Sequence, residues 1–132
     1  MNMRKRFIVI DDDPLNNNIC RLTIKKVLGE VEVLTFTDPA AGFEHIGTEY
    51  KGDKEDTPAI LFLDLNMPVM SGWEFMERFE ELAPDIKDRI KVYILSSSVD
   101  TRDIEKANGN RNVVNYLAKP ITKDVLHAIA QY

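Results

Sequence analysis

Three short runs made only of apolar residues constrain the fold of this chain more than any other feature. Each is four residues long: Phe7–Ile10, Ile60–Leu63 and Val92–Leu95. Such a run is too short for a helix and is typical of a strand covered on both faces. Strands of this kind occur in parallel sheets that carry helices on both sides. The three runs therefore predict the centre of an α/β sheet.

Two longer runs are also rich in β-forming residues but contain a polar residue. Glu32 interrupts Val31–Phe36, and Asn115 interrupts Val113–Leu117. A polar residue suits an edge strand, which borders solvent, better than a central strand. We therefore predict that these runs are the two edge strands, the second and the fifth in chain order.

Two pairs of residues predict where the first helices begin. Asp13-Pro14 and Asp38-Pro39 each combine an N-cap residue with proline at the first helical position. The helices are predicted to end near Leu28 and Ile46. On the first helix, a broad apolar arc is predicted to face inward: Ile19, Cys20, Ile24, Val27 and Leu28. The polar stretch that follows the second helix, residues 47–57, is predicted to be a surface loop.

Three more helices are predicted in the second half of the chain. The clearest amphipathic pattern follows Gly72 and predicts a helix that ends before Pro84. A short, weak helix capped by Asp100 or Thr101 is predicted to end near Asn108, because the following residues are rich in glycine and asparagine. Thr122 is predicted to cap the last helix.

Five strands that alternate with five helices predict a doubly wound, flavodoxin-like parallel sheet. The apolar strands belong in the centre and the polar ones at the edges, which selects the strand order 2-1-3-4-5. Strands 1 and 3 then flank the topological switch point, where such sheets bind ligands beyond the carboxyl ends of their strands. Residues that directly follow those two strands are the first candidates for a functional site.

Carboxylates follow both of these strands. Asp11 and Asp12 come after the first strand and Asp64 comes after the third. Like charges in one cleft raise each other's pKa, and a divalent cation is the simplest remedy. Mg²⁺ suits a few carboxylate ligands, with Mn²⁺ as an alternative, whereas no EF-hand spacing indicates Ca²⁺. The simpler interpretation is that Asp64 caps a turn and Asp13 caps the first helix.

Two further side chains are predicted to lie on the same rim. Lys119 ends the fifth strand and supplies a fixed positive charge, while Ser96 ends the fourth strand and supplies a hydroxyl, although a serine there can also be a simple turn former. Acids, a cation site, a hydroxyl and a lysine around one carboxylate suit phosphoryl transfer onto that carboxylate.

Four motifs occur at the strand ends in a characteristic order. They are Ile10-Asp11-Asp12, Asp64-Leu65-Asn66-Met67-Pro68 with Gly72, Ser96-Ser97, and Tyr116-Leu117-Ala118-Lys119-Pro120. With them the chain resembles the receiver domain of two-component response regulators, of the stand-alone type similar to the chemotaxis receiver protein. The resemblance covers essentially all 132 residues.

The resemblance implies a role for each carboxylate. Asp64 would be the phosphoacceptor. Asp12, Asp64 and the backbone carbonyl of Asn66 would bind Mg²⁺ directly, and Asp11 would act through water. Lys119 would pair with the phosphoryl group.

The resemblance also implies a conformational switch. Ser96 would move to hydrogen-bond the phosphoryl group, and Tyr116 would turn inward to fill the space it leaves. Asn66 and Ser98 fall where the family tunes the lifetime of the acyl phosphate. The polar stretch Lys106–Asn110 departs from the family, which usually has a regular fourth helix, so the signalling face is predicted to be shorter or more mobile.

A sensor histidine kinase or histidine phosphotransfer protein would donate the phosphoryl group, and an unidentified protein would receive the signal by binding. The chain would thus be a signalling phosphoacceptor and not an enzyme in the ordinary sense. His45 and His127 lie on predicted helices away from the strand ends and are predicted to be surface residues, not phosphoryl donors.

Length and charge limit the other functions. The 132 residues are predicted to form a single domain, residues 1–132, with no output domain. The net charge of −5 argues against nucleic-acid binding, and no apolar run predicts a membrane span or a signal peptide, so the cytoplasm is expected. A single cysteine, Cys20, excludes an internal disulfide and a cysteine-rich zinc site.

Two alternatives compete with this interpretation. A haloacid-dehalogenase-like phosphatase also uses an aspartyl phosphate, and Asp11 and Asp13 have the two-residue spacing that it needs, but the threonine expected two residues further on is absent. A receiver-like scaffold that binds partners without phosphorylation is the second alternative. Turnover of a small phosphate ester would favour the first, and absence of modification at Asp64 would favour the second.

Overall fold

A computed structural model of the protein describes residues 6–50 and 58–130. In these residues five parallel strands form one sheet in the order β2-β1-β3-β4-β5. The strands are β1 (Arg6–Ile10), β2 (Glu32–Phe36), β3 (Ala59–Leu63), β4 (Ile90–Ser96) and β5 (Val113–Ala118). The predicted strand order and the flavodoxin-like architecture are confirmed, with the two polar-interrupted strands at the edges.

Six helices lie around the sheet in the described residues, where five were predicted. They are α1 (Pro14–Leu28), α2 (Pro39–Glu49), α3 (Gly72–Glu80), α4 (Pro84–Asp88), α5 (Thr101–Gly109) and α6 (Lys123–Ile129). The additional helix is the short α4. Pro84 was predicted only to stop a helix, but it also begins one, because proline fits the first helical position.

The predicted helix starts are confirmed in detail. A side-chain oxygen of the N-cap residue accepts a backbone N–H in α1, α2, α5 and α6, the caps being Asp13, Asp38, Asp100 and Thr122. Each cap satisfies a donor that the helix leaves unpaired. α5 is a continuous helix of nine residues despite its polar sequence.

The loop predicted for residues 47–57 begins later than expected. α2 continues to Glu49, and Tyr50 is its C-cap. Tyr50 is buried in the core, so it holds the end of the helix against the sheet. Residues 51–57, like the basic residues 1–5, lie outside the described residues.

The core has one layer on each face of the sheet. Along β1, Phe7 and Val9 pack into one layer while Ile8 and Ile10 pack into the other. All five residues of β3 are buried, as expected for the central strand. Among the described helices, none is long and apolar enough to cross a membrane.

The prediction of which α1 residues face inward is wrong at one position. Cys20 and Ile24 are buried as predicted, but Ile19 is 43% exposed. Leu15 and Leu22 are also exposed, so the three residues form an outward apolar row, called here the α1 stripe. The buried position on this helix is taken by Asn17, whose side-chain amide donates to the backbone carbonyls of Asp11 (2.9 Å) and Phe36 (3.2 Å). These two hydrogen bonds fix the rotation of α1 and turn Ile19 outward.

Candidate functional site

Strand pairing brings the predicted carboxylates together. Ile10 of β1 is in register with Leu63 of β3, and the backbone N–H of Asp64 donates to the Ile10 carbonyl at 3.0 Å. Asp11 and Asp64 therefore leave the sheet side by side. One carboxylate oxygen from each of Asp11, Asp12 and Asp64 lies within 4.8 Å of the other two. We call these three residues the carboxylate cluster.

Burial differs within the carboxylate cluster. Asp11 is 2% exposed and Asp64 is 6% exposed, whereas Asp12 faces solvent. Burial raises the pKa of Asp64, and the negative charge of Asp11 raises it further, while Lys119 acts in the opposite direction. The cluster thus holds more negative charge than its surroundings neutralise, and its hard oxygen donors fit a divalent cation such as Mg²⁺.

Asp11 is held by hydrogen bonds to both of its oxygens. Oδ1 accepts from the backbone N–H of Asp13 at 2.9 Å, and Oδ2 accepts from the side-chain amide of Asn16 at 2.7 Å and from the ammonium of Lys119 at 2.7 Å. Asn16 was not predicted. Its position five residues after Asp11, in the first turn of the helix that starts at the site, is the signal that could have identified it.

Lys119 reaches the carboxylate cluster from the end of β5. Its Nζ lies 2.7 Å from Asp11 Oδ2 and 3.3 Å from Asp64 Oδ1. Burial lowers the pKa of Lys119, but the hydrogen bond to Asp11 and the charges of Asp64 and Asp11 outweigh it and raise the pKa overall. Lys119 therefore stays charged and bridges the two buried acids. Its peptide bond to Pro120 is cis.

Ser96, Ser98 and Tyr116 form a second group, which also lies toward the carboxyl ends of the strands. Ser96 is fully buried at the end of β4, where its hydroxyl accepts the backbone N–H of Ser98 at 3.1 Å. The half-buried Tyr116 donates its hydroxyl to the Ser98 carbonyl at 2.6 Å. A backbone hydrogen bond from Lys119 N–H to the Ser96 carbonyl, 3.0 Å long, links this group to the end of β5.

Asn66 lies exposed in the loop after Asp64. The N-terminus of α3 closes that loop, and Gly72 N–H donates to the Leu65 carbonyl at 2.9 Å. A Cβ atom at Gly72 would lie 2.5 Å from the Asp64 carbonyl oxygen and 2.9 Å from Leu65 Cα. Only glycine allows this approach, so Gly72 of the predicted motif positions the main chain at Asp64.

The two histidines differ from each other. His127 is exposed as predicted, but His45 is half-buried. The His45 ring lies 5.3 Å from the ring of Phe36, and its Nε2 is buried without a hydrogen-bond partner among the described residues. The prediction that His45 is a surface residue is therefore wrong, because the helix turns the ring against the edge strand.

A comparison with protein families decides what this site belongs to. The model described as "Response regulator receiver domain" matches residues 7–131. This chain is a member of that family. This family consists of the receiver domains of response regulators in two-component signalling. It is not the family of the haloacid-dehalogenase-like phosphatases, which were considered as an alternative.

Solved structures and curated proteins agree with this assignment. The receiver domain is similar to a two-component response regulator from Cytophaga hutchinsonii (29% identity, TM-score 0.86, 97% of this chain and 95% of that chain). It is also similar to a response regulator receiver protein from Dyadobacter fermentans (29% identity, TM-score 0.84, 95% and 94%).

Among curated proteins, the "Probable C4-dicarboxylate response regulator DctR" of Halalkalibacterium halodurans is 27% identical over 96% of this chain and 50% of that protein. The chain spans about half the length of the curated relatives it matches.

Proposed function

We propose that this receiver domain accepts a phosphoryl group on the carboxylate of Asp64. The observation that carries the proposal is a buried carboxylate with the Lys119 ammonium 3.3 Å away and two further acids beside it. A carboxylate oxygen of Asp64 would attack phosphorus as the bond from phosphorus to the donor's histidine nitrogen breaks, and the imidazole would then take up a proton. The product is an acyl phosphate.

Mg²⁺, or Mn²⁺ in its place, is the proposed cofactor. Asp12, Asp64 and the backbone carbonyl of Asn66 would bind it directly, and Asp11 would act through water. In support, the oxygens of Asp11 already accept three hydrogen bonds, whereas Asp12 is exposed. When bound, the ion would neutralise charge on the phosphoryl oxygens.

Lys119 and Ser96 would recognise the phosphoryl group. The Lys119 ammonium is a fixed charge next to the proposed acceptor, and such preorganised charges stabilise developing negative charge effectively in a site that excludes water. Ser96 would reach the phosphoryl group by leaving the N–H of Ser98. Tyr116 would then turn inward, and Asn66 and Ser98 would set the lifetime of the acyl phosphate.

The proposed donor is a sensor histidine kinase or a histidine phosphotransfer protein. The α1 stripe supports a protein partner, because three large apolar side chains stand exposed on one row of the helix that begins at the site. Exposed apolar patches of this kind mark interaction surfaces. We propose that a helical surface of the donor covers the α1 stripe while its phosphohistidine faces Asp64.

The proposed output is phosphorylation-dependent binding to another protein. Within residues 1–132, the receiver domain would signal by binding rather than by catalytic turnover. The net charge of −5 supports a protein target over a nucleic acid. A cytoplasmic location stays a prediction.

Intact-mass measurement after incubation with acetyl phosphate and Mg²⁺ tests the proposal. One phosphoryl adduct is expected in the parent protein and in Asp13→Asn, since asparagine also caps a helix well and Asp13 lies outside the carboxylate cluster. No adduct is expected in Asp64→Asn or without Mg²⁺. Absence of an adduct in the folded parent would favour the scaffold that binds partners without phosphorylation.

A further inference from the structure

Two hydrogen bonds link Ser98, through Asp103 of α5, to Trp73 of α3. The Ser98 hydroxyl donates to Oδ2 of Asp103 at 2.9 Å, and the indole N–H of Trp73 donates to Oδ1 of the same carboxylate at 3.1 Å. Asp103 therefore uses one oxygen for the loop after β4 and the other for α3. Neither Asp103 nor Trp73 belongs to the motifs that identify the family.

Ser98, at the loop end of this series of hydrogen bonds, is bonded to the candidate switch residues Ser96 and Tyr116. Ser98 holds the Ser96 hydroxyl through its backbone N–H and receives the Tyr116 hydroxyl on its carbonyl. Its own hydroxyl also accepts the backbone N–H of Asp100 at 3.2 Å. Ser96 can move toward a phosphoryl group only by giving up the hydrogen bond from the Ser98 N–H.

At the other end of this series of hydrogen bonds, Trp73 lies in a groove between α3 and α5. Trp73 lines this groove, and the Lys106 ammonium lies 5.1 Å from the centre of its ring. Lys106 and Asp103 are three residues apart, so they lie on one face of α5 and hold the indole at two points. A change at Asp103 therefore changes the surroundings of Trp73.

We propose that Asp103 is a positioning residue that holds Ser98 in the unphosphorylated arrangement and couples the Ser96–Ser98 segment to Trp73 in the groove. The inference rests on the proposed function, because phosphorylation of Asp64 is what moves Ser96. The Ser98–Asp103 bond is the element with two arrangements, made in the resting domain and broken when Ser96 leaves Ser98. Breaking it frees one oxygen of Asp103 and alters its bond to the indole.

Trp73 is the single tryptophan of the chain, so tryptophan emission measures this coupling directly. The protein is treated with Mg²⁺ and acetyl phosphate, and emission and intact mass are measured on the same sample. We expect the emission of the parent to change as the adduct forms. Asp103→Ala is expected to form the adduct without the emission change. Its adduct fraction at limiting acetyl phosphate should rise about fivefold, the effect of one net hydrogen bond that no longer holds the resting arrangement.

Two matched variants separate coupling from general damage. Glu105→Ala removes the same charge from an exposed position of the same helix and is expected to behave like the parent. Asp103→Asn can still accept from Trp73 and donate to the Ser98 hydroxyl, so it should restore the emission change. Circular dichroism confirms that each variant is folded.

The outcomes are distinguishable. An adduct on the parent with no emission change, or an unchanged emission response in folded Asp103→Ala, would overturn the inference and leave the proposed function intact. No adduct on the folded parent would overturn the proposed function and this inference with it.

Discussion

The carboxylate cluster and the Ser96–Ser98 segment both lie at the carboxyl ends of the strands, but they are held in place differently. Asp11 and Asp64 directly follow two central strands that pair in register, so the backbone fixes their separation. In the Ser96–Ser98 segment, Ser96 is the last residue of β4, whereas Ser98 lies beyond the strand. Ser98 is held by two hydrogen bonds to side chains, because its hydroxyl donates to Asp103 and its carbonyl accepts from Tyr116.

This difference indicates which part of the site can move. A backbone ladder between buried strands breaks only with the fold, whereas a few side-chain hydrogen bonds have alternatives of similar free energy. The carboxylate cluster is built to stay in place during phosphoryl transfer. The Ser96–Ser98 segment is built to rearrange. Three predictions test this contrast, and a fourth concerns the hydrogen bonds of Glu80, away from the site.

The largest expected effect concerns the charge beside the carboxylate cluster. Lys119→Met removes the ammonium that contacts Asp11 and Asp64. The rate of phosphorylation by acetyl phosphate should fall roughly a hundredfold, the cost of losing one preorganised charge. Lys123→Met, which changes an exposed lysine nearby in the chain, should retain the parent rate. Equal rates in both variants would mean that Lys119 only fills space.

Gly72→Ala tests the claim that the backbone at the carboxylate cluster is fixed in place. The new Cβ would lie 2.5 Å from the Asp64 carbonyl oxygen, a clash with backbone that cannot give way easily. We expect a loss of about 1–3 kcal/mol in the free energy of unfolding, measured in urea. Gly47→Ala is the control, because nothing lies within 4 Å of that position in α2. It should be neutral or stabilise the fold by up to about 1 kcal/mol.

Tyr116→Phe tests the movable segment. It removes the hydroxyl that donates to the Ser98 carbonyl. The free energy of unfolding should fall by about 1 kcal/mol or less, while hydrogen exchange of the backbone around Ser98 should become faster. A loss of stability as large as that of Gly72→Ala would contradict the view that Ser98 is held by replaceable side-chain bonds.

The smallest expected effect concerns Glu80, the last residue of α3. Glu80 accepts hydrogen bonds from Arg111, Lys87 and Asn112, which lower its pKa to about 2. These bonds stabilise the fold above the ordinary pKa of 4.5, and the stabilisation is lost as the pH falls toward 2. The stability difference between the parent and Glu80→Gln should therefore shrink over that range in urea titrations. A difference that does not depend on pH would show that the charge of Glu80 contributes nothing.

The features predicted correctly from the sequence depend on local pattern or on strand order. The caps Asp13 and Asp38, the strand order and the meeting of Asp11 with Asp64 follow from residues close in the chain or from the rules of parallel sheets. The candidate carboxylate cluster was predictable for this reason.

The features that were missed depend on contacts between distant residues. Asn17 is buried because its amide reaches the carbonyl of Phe36, and this contact turns Ile19 outward against the hydrophobic pattern. The bond from Trp73 to Asp103 joins residues 30 positions apart. No local periodicity distinguishes such an Asn or Asp from any other polar residue on a helix.

The most direct test of the central claim is to identify the residue that carries the phosphoryl group. After treatment with acetyl phosphate and Mg²⁺, borohydride reduces an aspartyl phosphate to homoserine, and peptide mass spectrometry finds its position. Homoserine at position 64 is the predicted result. Homoserine at position 11 or 12, or a phosphoryl group on another type of residue, would contradict the assignment of Asp64 as the phosphoacceptor.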